Sequence, residues 1–427
     1  MNIRFKNYIK LIFAILILFN SKNTSILNAQ GFRGYYQYPD IHDNTIVFTS
    51  EGDIWKVSVN GGLAQRLTTH PEEERYANIS PDGKTLAYSA SYEGPTEIYT
   101  MPIDGGVTTR WTYESETSSV TNWSPDNKII YQTQAYNKLP DEQLVTIDLK
   151  TRIKSVVPLY QASEGTQNEK GDWIFIRPAD HGDAAKRYVG GTARQIWKFD
   201  GKNEAVKLTN DYDGESHKPM WYNGRVFFIS DRDGIMNIWS MDSDGNDLAQ
   251  HTKHEEYDVR YANIHEGKIV YQHAADIWLL DVSTGSYNKI NISLASDLDQ
   301  LREKWDENPS RYITSVSSDP NGEKIVVTAR GRVFVVPVKT GRTISFTENK
   351  GVRYRDAIFS HDGKEIITLS DESGEFEFIK LNSTGSENQT KITKNGTTLR
   401  YQGIPSPDGK WIAYDDLESN MYILNIK

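Results

Sequence analysis

Along most of this chain, apolar and polar residues alternate in short runs, and each run is closed by a turn rich in Gly, Asp, Asn or Pro. A period of two bounded by turn residues predicts strands joined by hairpins. Ser80-Pro81-Asp82-Gly83 predicts a turn, Thr85 to Ser89 a strand, Glu93-Gly94 a turn and Glu97-Ile98-Tyr99 a second strand. Asp104-Gly105-Gly106 then turns again, and Arg110-Trp111-Thr112 closes the unit. The same order returns elsewhere. The strand after the second turn opens as Asp53-Ile54-Trp55, Gln195-Ile196-Trp197, Asn237-Ile238-Trp239 and Asp276-Ile277-Trp278. The closing strand reads Arg66-Leu67-Thr68, Lys207-Leu208-Thr209 and Lys391-Ile392-Thr393.

Aligned on the first turn, nine copies fall at Asn44, Gly83, Asn127, Gly171, Gly224, Gly267, Gly322, Gly363 and Gly409, 39 to 55 residues apart. That spacing suits four-stranded blades of a β-propeller, with a large aromatic as the wedge between neighbours. The two longest intervals hold insertions. Residues 177–194 read as an exposed rim loop, and in Ser293 to Ser310 the spacing of Leu298, Leu301 and Trp305 before Pro309 predicts a short helix. Six copies precede that helix and three follow it. The expected fold is therefore all-β: a six-bladed β-propeller over residues 31–296, a helical linker over 297–310, and the first blades of a second β-propeller over 311–427. Three blades cannot close a ring, and the ninth copy stops at Lys427 before its closing strand. The pattern predicts the N-terminal part of a longer protein.

The first 30 residues differ in kind. Arg4, Lys6 and Lys10 precede an apolar run from Leu11 to Phe19, and small or polar residues lead to Asn28-Ala29-Gln30. This is the plan of a signal peptide, with a run too short to span a bilayer, so a periplasmic or secreted location is expected, with no membrane attachment beyond export. The chain has no cysteine, which excludes thiolate metal sites and a cysteine nucleophile. Its formal charge is −10, and the basic residues among the first 30 leave the remainder more acidic still, which argues against nucleic acid as a partner.

Catalytic motifs are missing. There is no G-x-S-x-G elbow and no phosphate-binding glycine loop, while His254-Glu255 and His265-Glu266 begin like a zinc-protease helix but lack its second histidine. Asp82, Asp104, Asp126, Asp362 and Asp408 each stand in a short turn, where Asp caps its own backbone, rather than in a calcium loop of clustered carboxylates. No catalytic residue, metal ligand or cofactor is expected. One cluster could meet a ligand: the rim loop carries His181, Asp183, Lys186, Arg187 and Arg194. Lys186, Arg187 and Arg194 are the candidate substrate-binding residues, because guanidinium and ammonium groups on a projecting loop can receive a peptide carboxylate. The alternative is that these charges only solvate a long loop.

The segment GYYQYPDIHDNTIVFTSEGDIWKVSVNGGLAQRLTTHPEEERYANISPDGKTLAYSASYEGPTEIYTMPIDGG resembles the N-terminal half of tricorn-like proteases, as do YQASEGTQNEKGDWIF, YDGESHKPMW and VRYRDAIFSHDGKEI. The resemblance covers residues 31–427 and implies a six-bladed ring followed by a seven-bladed one. It further implies a serine peptidase whose catalytic serine, histidine and glutamate lie in C-terminal domains, beside a PDZ-like module, beyond this sequence. Its partners would be peptides or unfolded polypeptides, those C-terminal domains, and further copies in a homo-oligomer. The family anchors a substrate C-terminus on adjacent arginines, and this chain has no Arg-Arg pair. The expected function is gating and channelling of peptide substrates for proteolysis elsewhere in the protein. The rival is a free-standing TolB-like periplasmic propeller that binds a protein partner, although such a chain carries a small α/β domain before its blades, for which residues 31–37 leave no room. A propeller glycosidase or lyase would need paired carboxylates in the central channel.

Overall fold

The computed structural model describes residues 33–178, 186–299, 305–306, 308–346, 351–385 and 389–426. The signal-peptide segment lies outside these residues. Two compact units divide between Arg302 and Glu303. Among the described residues the strands form nine sheets, six in the first unit and three in the second.

Each sheet of the first unit takes four strands in chain order. The innermost strands are Gln37–His42, Glu74–Ile79, Ser118–Trp123, Ser163–Gln167, Ser216–Tyr222 and Val259–His265. Each of these lies against the next, and the sixth lies against the first, so the sheets close a cycle about an axis. Hydrophobic alternation explains the stacking. Successive strand residues point to opposite faces, so Val47 and Ile54 pack forward on Leu86 and Tyr88, while Ile46, Phe48 and Trp55 pack back on Val270 and Ile277. Both faces of each sheet are thus buried. The wedge aromatics Trp55, Tyr88, Tyr131 and Tyr271 are fully enclosed.

The turns behave as the sequence chemistry expects. Ser80 Oγ donates to Asp82 Oδ1 at 2.6 Å, and the same aspartate accepts the Lys84 N–H at 3.2 Å, while Gly83 takes φ +70°. Ser124 with Asp126, Ser360 with Asp362 and Ser406 with Asp408 repeat the arrangement. These aspartates are occupied as turn caps. The closing-strand threonine has a local task as well. Thr68, Thr112, Thr209, Thr252 and Thr393 each accept, on the hydroxyl, the N–H of the second residue of the third strand (for Thr68, that of Ile54 at 2.8 Å).

The seam between sixth and first sheets is built differently from the other five junctions. Ile292–Leu294 forms a strand parallel to Gly62–Arg66, adding a fifth member to the first sheet. Tyr36 donates its hydroxyl to the Ile292 carbonyl at 3.0 Å, and Asn263 Nδ2 donates to the Pro39 carbonyl at 2.9 Å. Of the expected helical linker, residues 300–304 and 307 lie outside the described residues, and the insertion begins as a strand. Ser293 and Leu294 are extended, and Leu298 takes φ +56°, in the left-handed region that no right-handed helix contains. Burial of Ile292 and Leu294 and pairing of an otherwise open sheet edge account for this strand. Leu301 lies outside the described residues, and Pro309 opens a 3-10 turn, Pro309–Tyr312, rather than ending a helix.

The second unit has two four-stranded sheets, starting at Ile313–Ser318 and Tyr354–Phe359, and a three-stranded sheet of Ile404–Pro405, Trp411–Asp415 and Met421–Asn425. Val326, Val333 and Val335 pack on Phe359 and Ile366, and Ile358 and Phe378 pack on Ile412. Val316 in the first of these sheets and Met421 and Ile423 in the last are exposed.

Candidate functional site

The rim loop leaves the fourth sheet after Trp173–Arg177 and returns at Gln195–Phe199. His181 and Asp183 fall outside the described residues. Lys186, Arg187 and Arg194 all line one cavity of about 600 Å³ at the mouth of the first ring. The opposite walls come from the inner strands of the fourth, fifth and sixth sheets through Glu164, His217, Lys218, Arg260 and Tyr261, and from Glu215, Asp231 and Asp258 beside them.

The three loop cations are used differently. Arg194 Nε donates to Glu215 Oε2 at 2.6 Å, both side chains being less than one-tenth exposed (8% and 7%). Such a pair braces the loop root against the fifth sheet, since removing either partner strands a buried charge. Lys186 Nζ reaches Asp258 Oδ2 at 2.8 Å from a side chain that is 68% exposed, a pair of small energetic weight. Arg187 takes φ +57°, is exposed, and has no hydrogen bond or ion pair among the described residues. Asp231 is buried; its Oδ1 accepts the Tyr212 hydroxyl and the Glu215 N–H, each at 3.0 Å. Desolvation raises its carboxyl above the ordinary aspartate range.

The floor of the cavity is set by backbone irregularity. The inner strands lose register between Gln37 and Asp40, Arg75 and Asn78, Ser163 and Thr166, His217 and Met220, and Arg260 and Asn263. Within those breaks Tyr38, Tyr76, Glu164, Lys218 and Tyr261 all have φ between +46° and +54°. A bulge re-aims the side chain it carries, and here the re-aimed residues gather about the axis. The rings of Tyr38 and Tyr76 are 4.5 Å apart, those of Tyr38 and Tyr261 4.4 Å. Across from them, Glu164 Oε2 accepts the Lys218 N–H at 2.5 Å and lies 3.4 Å from His217 Nδ1. Burial pushes Glu164 upward, but the adjacent His217 imidazole, followed by the charges of Arg194 and Lys218, outweighs it and holds its carboxyl at about 2. Burial lowers the Lys218 ammonium, opposed by the charges of Glu164 and Asp40. Burial also lifts Asp40 to about 6, against the Ile79 and Ile41 N–H groups, Lys218 and His42.

Chemically, the arrangement is a polar receptacle with five Lys or Arg side chains and five carboxylates. Among the described residues its lining contains no serine, threonine or cysteine nucleophile. The loop members are legible in the sequence and the walls are not, because Glu164, His217, Lys218 and Arg260 are spread over three inner strands. The signal available was charge at two adjacent positions of successive inner strands, Glu164 and Lys218 at one and His217 and Arg260 at the one before it.

Sheets stacked in a cycle, each with its first strand innermost, define a β-propeller protein. Residues 33–286 match the family described as the Tricorn protease N-terminal beta propeller domain, and the chain belongs to that family. The Tricorn protease homolog of Saccharolobus solfataricus is 28% identical over 416 residues, covering 92% of this chain and 36% of that protein. Tricorn protease homolog 1 of Streptomyces coelicolor is 28% identical over 350 residues, covering 80% and 32%. The chain thus spans about a third of the length of these relatives. A crystal structure of the tricorn protease superposes with a TM-score of 0.64 at 20% identity, over 92% of this chain and 44% of that one.

Proposed function

We propose that this chain is the propeller part of an exported tricorn-like serine protease, and that its first ring receives and orients extended peptides for cleavage by catalytic domains outside this sequence. Family membership over residues 33–286 supports the tricorn-like propeller assignment, and the basic residues followed by the apolar run Leu11 to Phe19 support export. The observation that carries the second is Arg187, an exposed guanidinium on a polar cavity whose neighbours Lys186 and Arg194 are already held by carboxylates. A guanidinium receives a carboxylate bidentately, which suits the free C-terminus of a peptide. Tyr38, Tyr76 and Tyr261 act in this reading as the gate across the axis. The catalytic and PDZ-like domains and further copies of the chain are its proposed partners.

The test is fluorescence anisotropy with a labelled hexapeptide carrying either a free C-terminal carboxylate or an amide. The carboxylate form is expected to bind about tenfold or more tighter, the value of a charge-assisted hydrogen bond, and Arg187→Ala to erase the difference. Equal affinity of the two peptides would overturn the assignment. The purified chain is expected to leave both peptides intact, and N-terminal sequencing of protein from the native host to begin near residue 30.

A further inference from the structure

On the rim opposite the cavity, two histidines meet across the seam. His42 ends the first inner strand and pairs with Thr45 around the turn Asp43-Asn44; His265 ends the sixth and pairs with Lys268 around Glu266-Gly267. In the other four sheets of this unit the residue entering that turn is Ser80, Ser124, Asn168 or Tyr222. Because the sixth and first sheets are neighbours, the two imidazoles stack with centroids 4.1 Å apart at 29°. His265 Nε2 lies 3.2 Å from Asp43 Oδ1, and His42 Nδ1 lies 3.5 Å from Asp43 Oδ2. One ligating atom from each of the three residues falls within 4.8 Å of the others.

The hydrogen bond on the far side of His42 fixes what this cluster wants. His42 Nε2 is 3.1 Å from the Pro81 carbonyl, and a carbonyl only accepts, so Nε2 carries the proton. A neutral ring therefore turns the bare lone pair of Nδ1 toward a carboxylate, which is repulsive. A cation placed beside Nδ1 relieves that repulsion. A divalent metal ion between Nδ1, Nε2 and the carboxylate satisfies all three lone pairs. Donation of the remaining ring N–H to a backbone carbonyl is also how metal-binding histidines are oriented. The backbone makes room for that ring, since a Cβ on Gly83 would stand 2.8 Å from His42 Cε1.

We infer that His42, Asp43 and His265 form a site for a transition-metal ion of the zinc type, clipping the first sheet of the ring to the last. Two imidazoles and one carboxylate suit zinc, cobalt or nickel rather than calcium or magnesium, and leave a fourth position for water. The ion holds the junction that is otherwise tied by the short parallel strand Ile292–Leu294 and packing.

The test is titration of the metal-free chain with Co²⁺, followed by its visible absorption, and thermal unfolding over a series of Zn²⁺ concentrations. One equivalent is expected to bind, and the unfolding midpoint to rise with Zn²⁺ concentration, as for any ligand of the folded state alone. His265→Gln and Asp43→Asn change exposed or half-buried side chains, so both variants are expected to unfold as the parent does without metal. Each is expected to weaken metal binding by at least tenfold. His273→Gln, which breaks the separate stacked pair His254–His273, is expected to leave it unchanged. Undiminished binding in both His265→Gln and Asp43→Asn, loss of binding in His273→Gln, or no stoichiometric binding by the parent would overturn the proposal.

Discussion

Glu74 offers the sharpest energetic test of how these sheets are assembled. Its side chain is completely buried at the start of the second inner strand. Tyr92 donates to Oε1 at 2.6 Å and Thr68 to Oε2 at 3.0 Å. Two neutral donors do not compensate for loss of water, and desolvation lifts the carboxyl from 4.5 to about 8, with Asp53 adding to the rise against Tyr92 and Thr68. The folded state thus holds a proton that the unfolded chain releases near pH 4.5. Between those values the unfolded state binds fewer protons, so stability falls as pH rises. The slope is about 1.4 kcal/mol per pH unit, and the full penalty reached above pH 8 is about 4 to 5 kcal/mol. Glu74→Gln keeps the shape and cannot ionise. It is expected to match the parent near pH 4.5 and to gain steadily above it. Urea unfolding followed by tryptophan fluorescence at a series of pH values measures the gap. With a dependence of about 3 kcal/mol per molar, the midpoint of the variant moves up by more than about 1 M at pH 8. Parallel pH profiles for parent and variant would refute the desolvation argument.

Arg194→Ala leaves Glu215 buried and unpaired, and is expected to cost about 3 to 5 kcal/mol in chemical unfolding, whereas Arg187→Ala at the exposed position stays within about 0.5 kcal/mol. A similar cost for both would mean that the loop is held in another way. Leu294→Ala empties a buried site on the seam strand and is expected to cost about 2 to 5 kcal/mol, with hydrogen exchange rising first in the first and sixth sheets. Exchange that rises uniformly through the ring would argue against a weak seam.

Much of this fold is legible because its determinants are local. The Ser-Pro-Asp-Gly turns, the alternating strands and the Trp or Tyr wedges each occupy a few consecutive residues, and each forms as its chemistry dictates. The closing Thr was visible as a repeat, but its hydroxyl bond to the third strand emerges only when the two strands pair. What stayed hidden is non-local. Ile292–Leu294 is three residues whose strand character comes from the open edge at Gly62–Arg66. The cavity walls depend on bulges that turn Glu164, Lys218 and Tyr261 toward the axis, and no residue type announces a bulge. His42 and His265 likewise become neighbours only through ring closure.

The bond between the Tyr36 hydroxyl and the Ile292 carbonyl joins residues 256 positions apart. A chain made from its N-terminus produces the first sheet early and its last partners only after some 250 further residues. Throughout that interval the Gly62–Arg66 edge and the face bearing Ile46, Phe48 and Trp55 have no native cover. Contacts of such separation slow folding, and an uncovered apolar edge is what aggregation recruits. During synthesis, the first sheet is therefore the part of this molecule that most needs a temporary guardian.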